Sequence, residues 1–131
     1  MDENFKIEII SPEKIIFSDN VKMVKLPSYE GDMGILKNHI SIISFLKPGI
    51  VKVEKNEGNI TNFFVQDGIA EFFNNNLVLL SATIENTKNL SEEFLQNLKK
   101  TTQDKLEKND INDQDRYILN HKLDVLNEIK A

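Results

Sequence analysis

Gln66-Asp67-Gly68-Ile69-Ala70-Glu71-Phe72-Phe73-Asn74-Asn75-Asn76-Leu77-Val78-Leu79-Leu80-Ser81-Ala82 sets two short apolar runs between residues that favour tight turns. Asp-Gly before the first run and three asparagines before the second tolerate positive φ, so the chain can reverse there cheaply. The same grammar recurs outward. Phe5-Lys6-Ile7-Glu8-Ile9 alternates with period two and puts Phe5, Ile7 and Ile9 on one face of a strand. Residues 15–17, 21–26, 40–46, 49–54 and 60–66 are further runs rich in Ile, Val and Phe. Ser11-Pro12, Ser18-Asp19-Asn20, Lys47-Pro48-Gly49 and Asn56-Glu57-Gly58-Asn59 mark the breaks between them. Short strands at a spacing of roughly 8–12 residues predict an antiparallel sandwich or barrel.

Near residue 85 the chain changes character. From Asn89 onward Gly and Pro vanish and the apolar spacing lengthens to that of a helix. Ser91 suits an N-cap, with Leu90 and Leu95 placed to close a hydrophobic staple and Glu92 and Glu93 on the positive end of the helix dipole. A helix over 92–108 carries Phe94, Leu95, Leu98, Thr102 and Leu106 along one side, and residues 109–113 read as a polar loop. A second helix over 114–130 places Ile118, Leu119, Leu123, Val125, Leu126 and Ile129 on one face. Two such helices with a short loop make an antiparallel hairpin. The expected organisation is α+β: a β-sandwich over 1–85, a linker over 86–90 with Thr87-Lys88-Asn89 as a flexible hinge, and a helical hairpin over 91–131.

Composition narrows the function. Of 131 residues 40% are apolar and 28% charged, the balance of a globular chain. The net charge of −5, with Arg116 the only arginine, speaks against nucleic acid as a partner. The absence of cysteine removes disulfides, thiolate zinc sites and thiol nucleophiles. Met1-Asp2-Glu3-Asn4-Phe5 carries acid where a secretory signal needs base, and no apolar run approaches the ~20 residues that span a bilayer. The chain reads as cytosolic, or as peripheral to a membrane through other proteins.

Few residues offer chemistry. Glu30, Asp32 and His39 can be read as a general base with an orienting carboxylate, or as a Gly-rich turn with solvated acids beside a surface histidine. Two histidines without ligand spacing do not build a metal site, and no phosphate-cradling G-x-x-x-x-G-K-[ST] loop exists. Phe63-Phe64 and Phe72-Phe73 can be a base-stacking surface, or core residues with one ring exposed at a subunit interface. The helical stripes can pack on the sandwich or exchange partners.

Ser11-Pro12-Glu13-Lys14-Ile15-Ile16-Phe17-Ser18 followed by Glu30-Gly31-Asp32-Met33-Gly34-Ile35-Leu36-Lys37-Asn38-His39 resembles the opening of the bacterial ATP synthase epsilon subunit family. Leu46-Lys47-Pro48-Gly49-Ile50-Val51, the 66–72 string and the 77–82 run are similar to its later strands. The resemblance implies a ten-stranded sandwich that binds the gamma subunit of the central stalk and the c-ring loops, with catalysis left to other subunits. It assigns an interface role to Glu30, Gly31, Asp32, Gly34 and His39. It also implies a hairpin that can lie folded or extend into the catalytic alpha/beta head, and a place on the cytoplasmic face of the bacterial inner membrane, reached only through the complex. Two departures matter. Ser91 and Phe94 stand where some members carry the Asp and Arg of an ATP-sensing motif, so no cofactor is expected, and eight basic against nine acidic side chains over 86–131 predict weak inhibition. Lys37-Asn38 replaces a usual Pro-Gly, which is expected to loosen the turn before His39. The rival to this rotor-stalk reading is a small acid/base enzyme using Asp32 and His39.

Overall fold

Ten strands run from Phe5 to Asn86 in the computed structural model, which describes residues 3–129. They are β1 (Phe5–Ile10), β2 (Ile15–Val21), β3 (Met23–Ser28), β4 (Gly31–Ile35), β5 (Ile42–Leu46), β6 (Gly49–Asn56), β7 (Asn59–Val65), β8 (Gly68–Phe73), β9 (Asn76–Leu80) and β10 (Glu85–Asn86). Their hydrogen-bonded order is β10-β7-β6-β3-β5-β8-β9-β1-β2, with β4 on the other side of β3. Every pairing is antiparallel except that of β1 with β9.

Between β3 and β5 the ladder thins to one pair, Ser28 opposite Leu46. The ribbon folds over at that point into two layers: β4-β3-β6-β7-β10 and β5-β8-β9-β1-β2. The period-two residues then meet in one core, where Ile7, Ile9, Phe72 and Leu79 of the second layer face Val24, Leu26, Val53 and Phe63 of the first. Burying each such side chain stabilises the fold by about 1.5–3 kcal/mol. At the crease, the buried Ser28 and Ser44 hydroxyls satisfy each other at 2.6 Å. Across the opposite, open side of the sandwich, the Phe17 ring of β2 lies 5.3 Å from that of Phe63, and Lys55 Nζ reaches Asp19 at 3.1 Å.

α1 (Glu92–Leu106) and α2 (Asp113–Glu128) form the hairpin. The Phe94 N–H donates to Ser91 Oγ at 3.0 Å, the cap that the sequence predicts, and Asn112 caps α2 by accepting from the Asp115 N–H at 2.7 Å. Leu95, Val125 and Leu126 pack with Leu90 against Phe64, and Ile50 borders them. Consecutive phenylalanines on β7 therefore serve two layers, Phe63 inside the sandwich and Phe64 under the hairpin.

The expected α+β architecture holds, with local corrections. Ser18-Asp19-Asn20, read as a break, lies inside β2, where its residues pair with Glu8, Ile7 and Lys6 of β1. A strand with one free edge tolerates these polar residues because alternate side chains reach water. Residues 30–34, read as a Gly-rich turn, lie from Gly31 onward in β4, recruited by its ladder to β3. Glu85–Asn86, read as the end of the sandwich and the start of the linker, is β10. Residues 87–89, the expected hinge, form a single 3-10 turn in which Asn86 Oδ1 accepts from the Lys88 N–H at 2.9 Å. The second helix ends at Glu128, and its expected last residue, Lys130, lies outside the described residues.

Candidate functional site

A sandwich of two layers has two outer faces, and the hairpin covers only one. On the other, strict alternation sends Ser44 and Leu46 of β5 inward and leaves Ile43 and Phe45 outside, while β8 sends Ala70 and Phe72 inward and leaves Ile69, Glu71 and Phe73 outside. Register aligns these residues across three strands. One row reads Phe45, Ile69 and Leu80; the next reads Ile43, Glu71 and Val78. Ile43, Phe45 and Phe73 are 62–68% exposed, and Tyr29, whose N–H donates to the Phe45 carbonyl at 3.1 Å, extends the patch at its rim. Large contiguous apolar surface is uncommon on a chain that works alone, and aromatic residues with few charges are the composition of an interface core. Glu71 is the only charged side chain in the two rows.

Phe73 is the exposed ring that the sequence allows for, but the face as a whole escaped sequence reasoning. The available signal was apolarity at both parities of one strand, Ile42 and Leu46 inward, Ile43 and Phe45 outward, which marks a strand destined for cover on two sides.

The residues assigned by motif separate into two groups. Tyr29 and Glu30 form the β3–β4 turn, with the Glu30 N–H donating to Ser28 Oγ at 3.1 Å, and Gly31 opens β4 at φ 117°, a conformation that favours glycine. Asp32 and Gly34 follow on β4, both exposed, with no atom within 4 Å of the space a Gly34 Cβ would fill. His39 lies beyond the opposite end of β4, a strand of five residues rising ~3.3 Å each. Its Nδ1 is 2.7 Å from the Ile40 carbonyl oxygen, and its ring meets the edge of Phe72 at 5.8 Å. Asp32 and His39 therefore share no site, and the acid/base reading fails on geometry. The loosened turn expected before His39 is also corrected. Asn38 adopts φ 68° and is held by the Asn75 side chain, whose Oδ1 accepts from the Asn38 N–H at 2.7 Å.

At the start of the hairpin, Ser91 spends its hydroxyl on capping α1 and Phe94 is exposed, so neither supplies charge toward a ligand. Among the described residues, no group of three or more His, Cys, Asp or Glu is placed to hold a metal, and no helix is long and apolar enough to cross a membrane.

Residues 4–87 match the family model described as ATP synthase, Delta/Epsilon chain, beta-sandwich domain. The chain is 47% identical to an ATP synthase epsilon chain of Pelagibacter ubique, over 96% of its own length and 97% of that relative. It is 42% identical to another of Parvibaculum lavamentivorans, over 54% of each. A chain of the Euglena gracilis mitochondrial ATP synthase assembly of OSCP, F1 and c-ring shares the fold at a TM-score of 0.74 and 17% identity, covering 97% of this chain and 79% of that one. A chain of the Tetrahymena thermophila mitochondrial ATP synthase central stalk and c-ring does so at 0.64 and 13% identity, covering 94% and 93%.

Proposed function

The chain belongs to the ATP synthase epsilon family, and on that footing we propose that it is a non-catalytic subunit of the central stalk that couples rotation of the c-ring to ATP synthesis. The observation that carries this reading is the bare apolar face of β5, β8 and β9, opposite the face that the hairpin covers. Its partner is the gamma subunit. The β3–β4 turn is a separate contact, where Glu30 and Asp32 accept charge-assisted hydrogen bonds from basic c-ring loop residues and the open space over Gly31 and Gly34 admits a second backbone. His39, at the other end of β4, belongs with the gamma contact. The protein is peripheral, at the cytoplasmic face of the bacterial membrane, and is held there by the complex.

The unit over 91–131 is a regulatory hairpin of modest effect. Its charge balance gives little attraction to an acidic segment of the alpha/beta head, and Ser91 and Phe94 leave ATP weakly bound or unbound. The test is calorimetric titration of the chain with gamma from the same complex. Phe45→Asp places a charge at the centre of the apolar rows and is expected to weaken binding by more than about thirtyfold, the scale of a hot spot. Its thermal midpoint should stay close to that of the parent, because the ring is exposed. Unchanged affinity in Phe45→Asp would remove the proposed docking face.

A further inference from the structure

Glu71 is the one charged side chain that β5, β8 and β9 turn outward, and its neighbours on that face are apolar. Ile43 and Val78 flank it across the two ladders, and Ile69 and Phe73 stand two residues to either side on the same face of β8. Following the rows onto β1 and β2 sharpens the contrast. The row of Phe45, Ile69 and Leu80 runs on through Ile10 and Ile15, so it is apolar across five strands. The row of Glu71 runs on to Glu8, whose carboxylate has a cation of its own chain, Lys6 Nζ at 3.9 Å. Among the described residues, Glu71 has no such ion pair.

On the reading that this face binds gamma, we propose that Glu71 sets partner choice and register: the surface of gamma that docks here is apolar, with one arginine or lysine seated on this carboxylate. Any partner that covers Ile43, Phe45 and Phe73 covers Glu71 with them. Removing a carboxylate from water without a counter-charge is costly, so a wholly apolar partner binds this face poorly. Contacts along the five-strand apolar row are non-directional and would let a partner slide along it. One charge pair among apolar neighbours forms at a single place and fixes the register. Arginine suits the position best, because its guanidinium is weakly hydrated and meets a carboxylate through two parallel hydrogen bonds.

Calorimetric titration of the full-length chain with gamma tests this with two substitutions. Glu71→Gln keeps the shape and removes the charge, whereas Glu71→Lys reverses it. The side chain is exposed, so both variants should melt with the parent. Glu71→Gln is expected to bind about thirtyfold more weakly, and Glu71→Lys more than about a hundredfold. Parental or tighter binding by Glu71→Gln would mean that no cation meets the carboxylate, leaving Glu71 a charge that only guards the free chain against self-association. Weaker binding by Glu71→Gln with Glu71→Lys no worse would reveal a hydrogen bond without a cation, which also overturns the proposal. Phe45→Asp separates the two levels. If it binds as the parent does, the docking face is wrong and the counter-charge falls with it. If it binds weakly while Glu71→Gln is unchanged, the face stands and the counter-charge alone is removed.

Discussion

At Gly68, the first residue of β8, an added Cβ would stand 2.8 Å from the Leu80 carbonyl oxygen and 3.1 Å from Ser81 Cβ. Leu80 cannot easily retreat, since it is opposite Ile69 in one ladder and Ile10 in another. Gly68→Ala is expected to destabilise the chain by about 1–3 kcal/mol through overpacking. Gly34→Ala, with open space around it, should change stability by less than about 0.5 kcal/mol. Thermal melts of the pair check this, and equal midpoints would mean that the β8–β9 contact yields. The sequence marks Gly68 as turn chemistry, but the close approach depends on a neighbour twelve residues away and is invisible in a linear string. Asn38 repeats the lesson. Its partner Asn75 is distant in sequence, so a tethered turn reads in isolation as a loose one.

The elements most legible in the sequence were those that carry their own punctuation. Ser91 and the acids after it announce α1, and period-two alternation announces β1. β4 and β10 lack such local signals: two glycines and an aspartate read as a turn, and a two-residue strand has no period, so only pairing with β3 and β7 creates them. The hairpin also contains a group whose cost is set by its surroundings. Burial, and behind it the charge of Lys105 on α1, push the Lys122 ammonium below the ordinary lysine range, while Asp67 in the β7–β8 turn partly offsets them. Between that depressed native pKa and the unfolded value near 10.5, the unfolded chain holds more protons than the native one. Stability from this group therefore rises with pH across that window and the penalty is fully present below it. Lys122→Met should slow proteolysis of the hairpin at pH 7 and flatten its alkaline pH dependence. An unchanged dependence would assign it to another group.

On the scale of the whole molecule, the sandwich spends its own hairpin on one outer face and leaves the other for a partner. Removing residues beyond Asn89 uncovers Phe64 and Ile50, so the truncated chain carries apolar surface on both sides. Light scattering should show it self-associating at concentrations where the full chain does not, while ATP hydrolysis by the assembled enzyme changes only modestly. A many-fold rise in hydrolysis would show that the hairpin inhibits more strongly than its charge balance suggests. The two-layer plan was legible from strand spacing and the motif resemblance, whereas which face stays bare was not, because that depends on where the hairpin lands. The single parallel pairing, β1 beside β9, has a consequence in time. Lys6 sits opposite Asn76, so β1 cannot complete its second ladder until about seventy further residues have been synthesised, roughly 4–14 s at 5–20 residues per second. Until then β1 has only β2 as a hydrogen-bonded neighbour. Nascent chains paused within that interval are where holdase chaperones should be found on this protein.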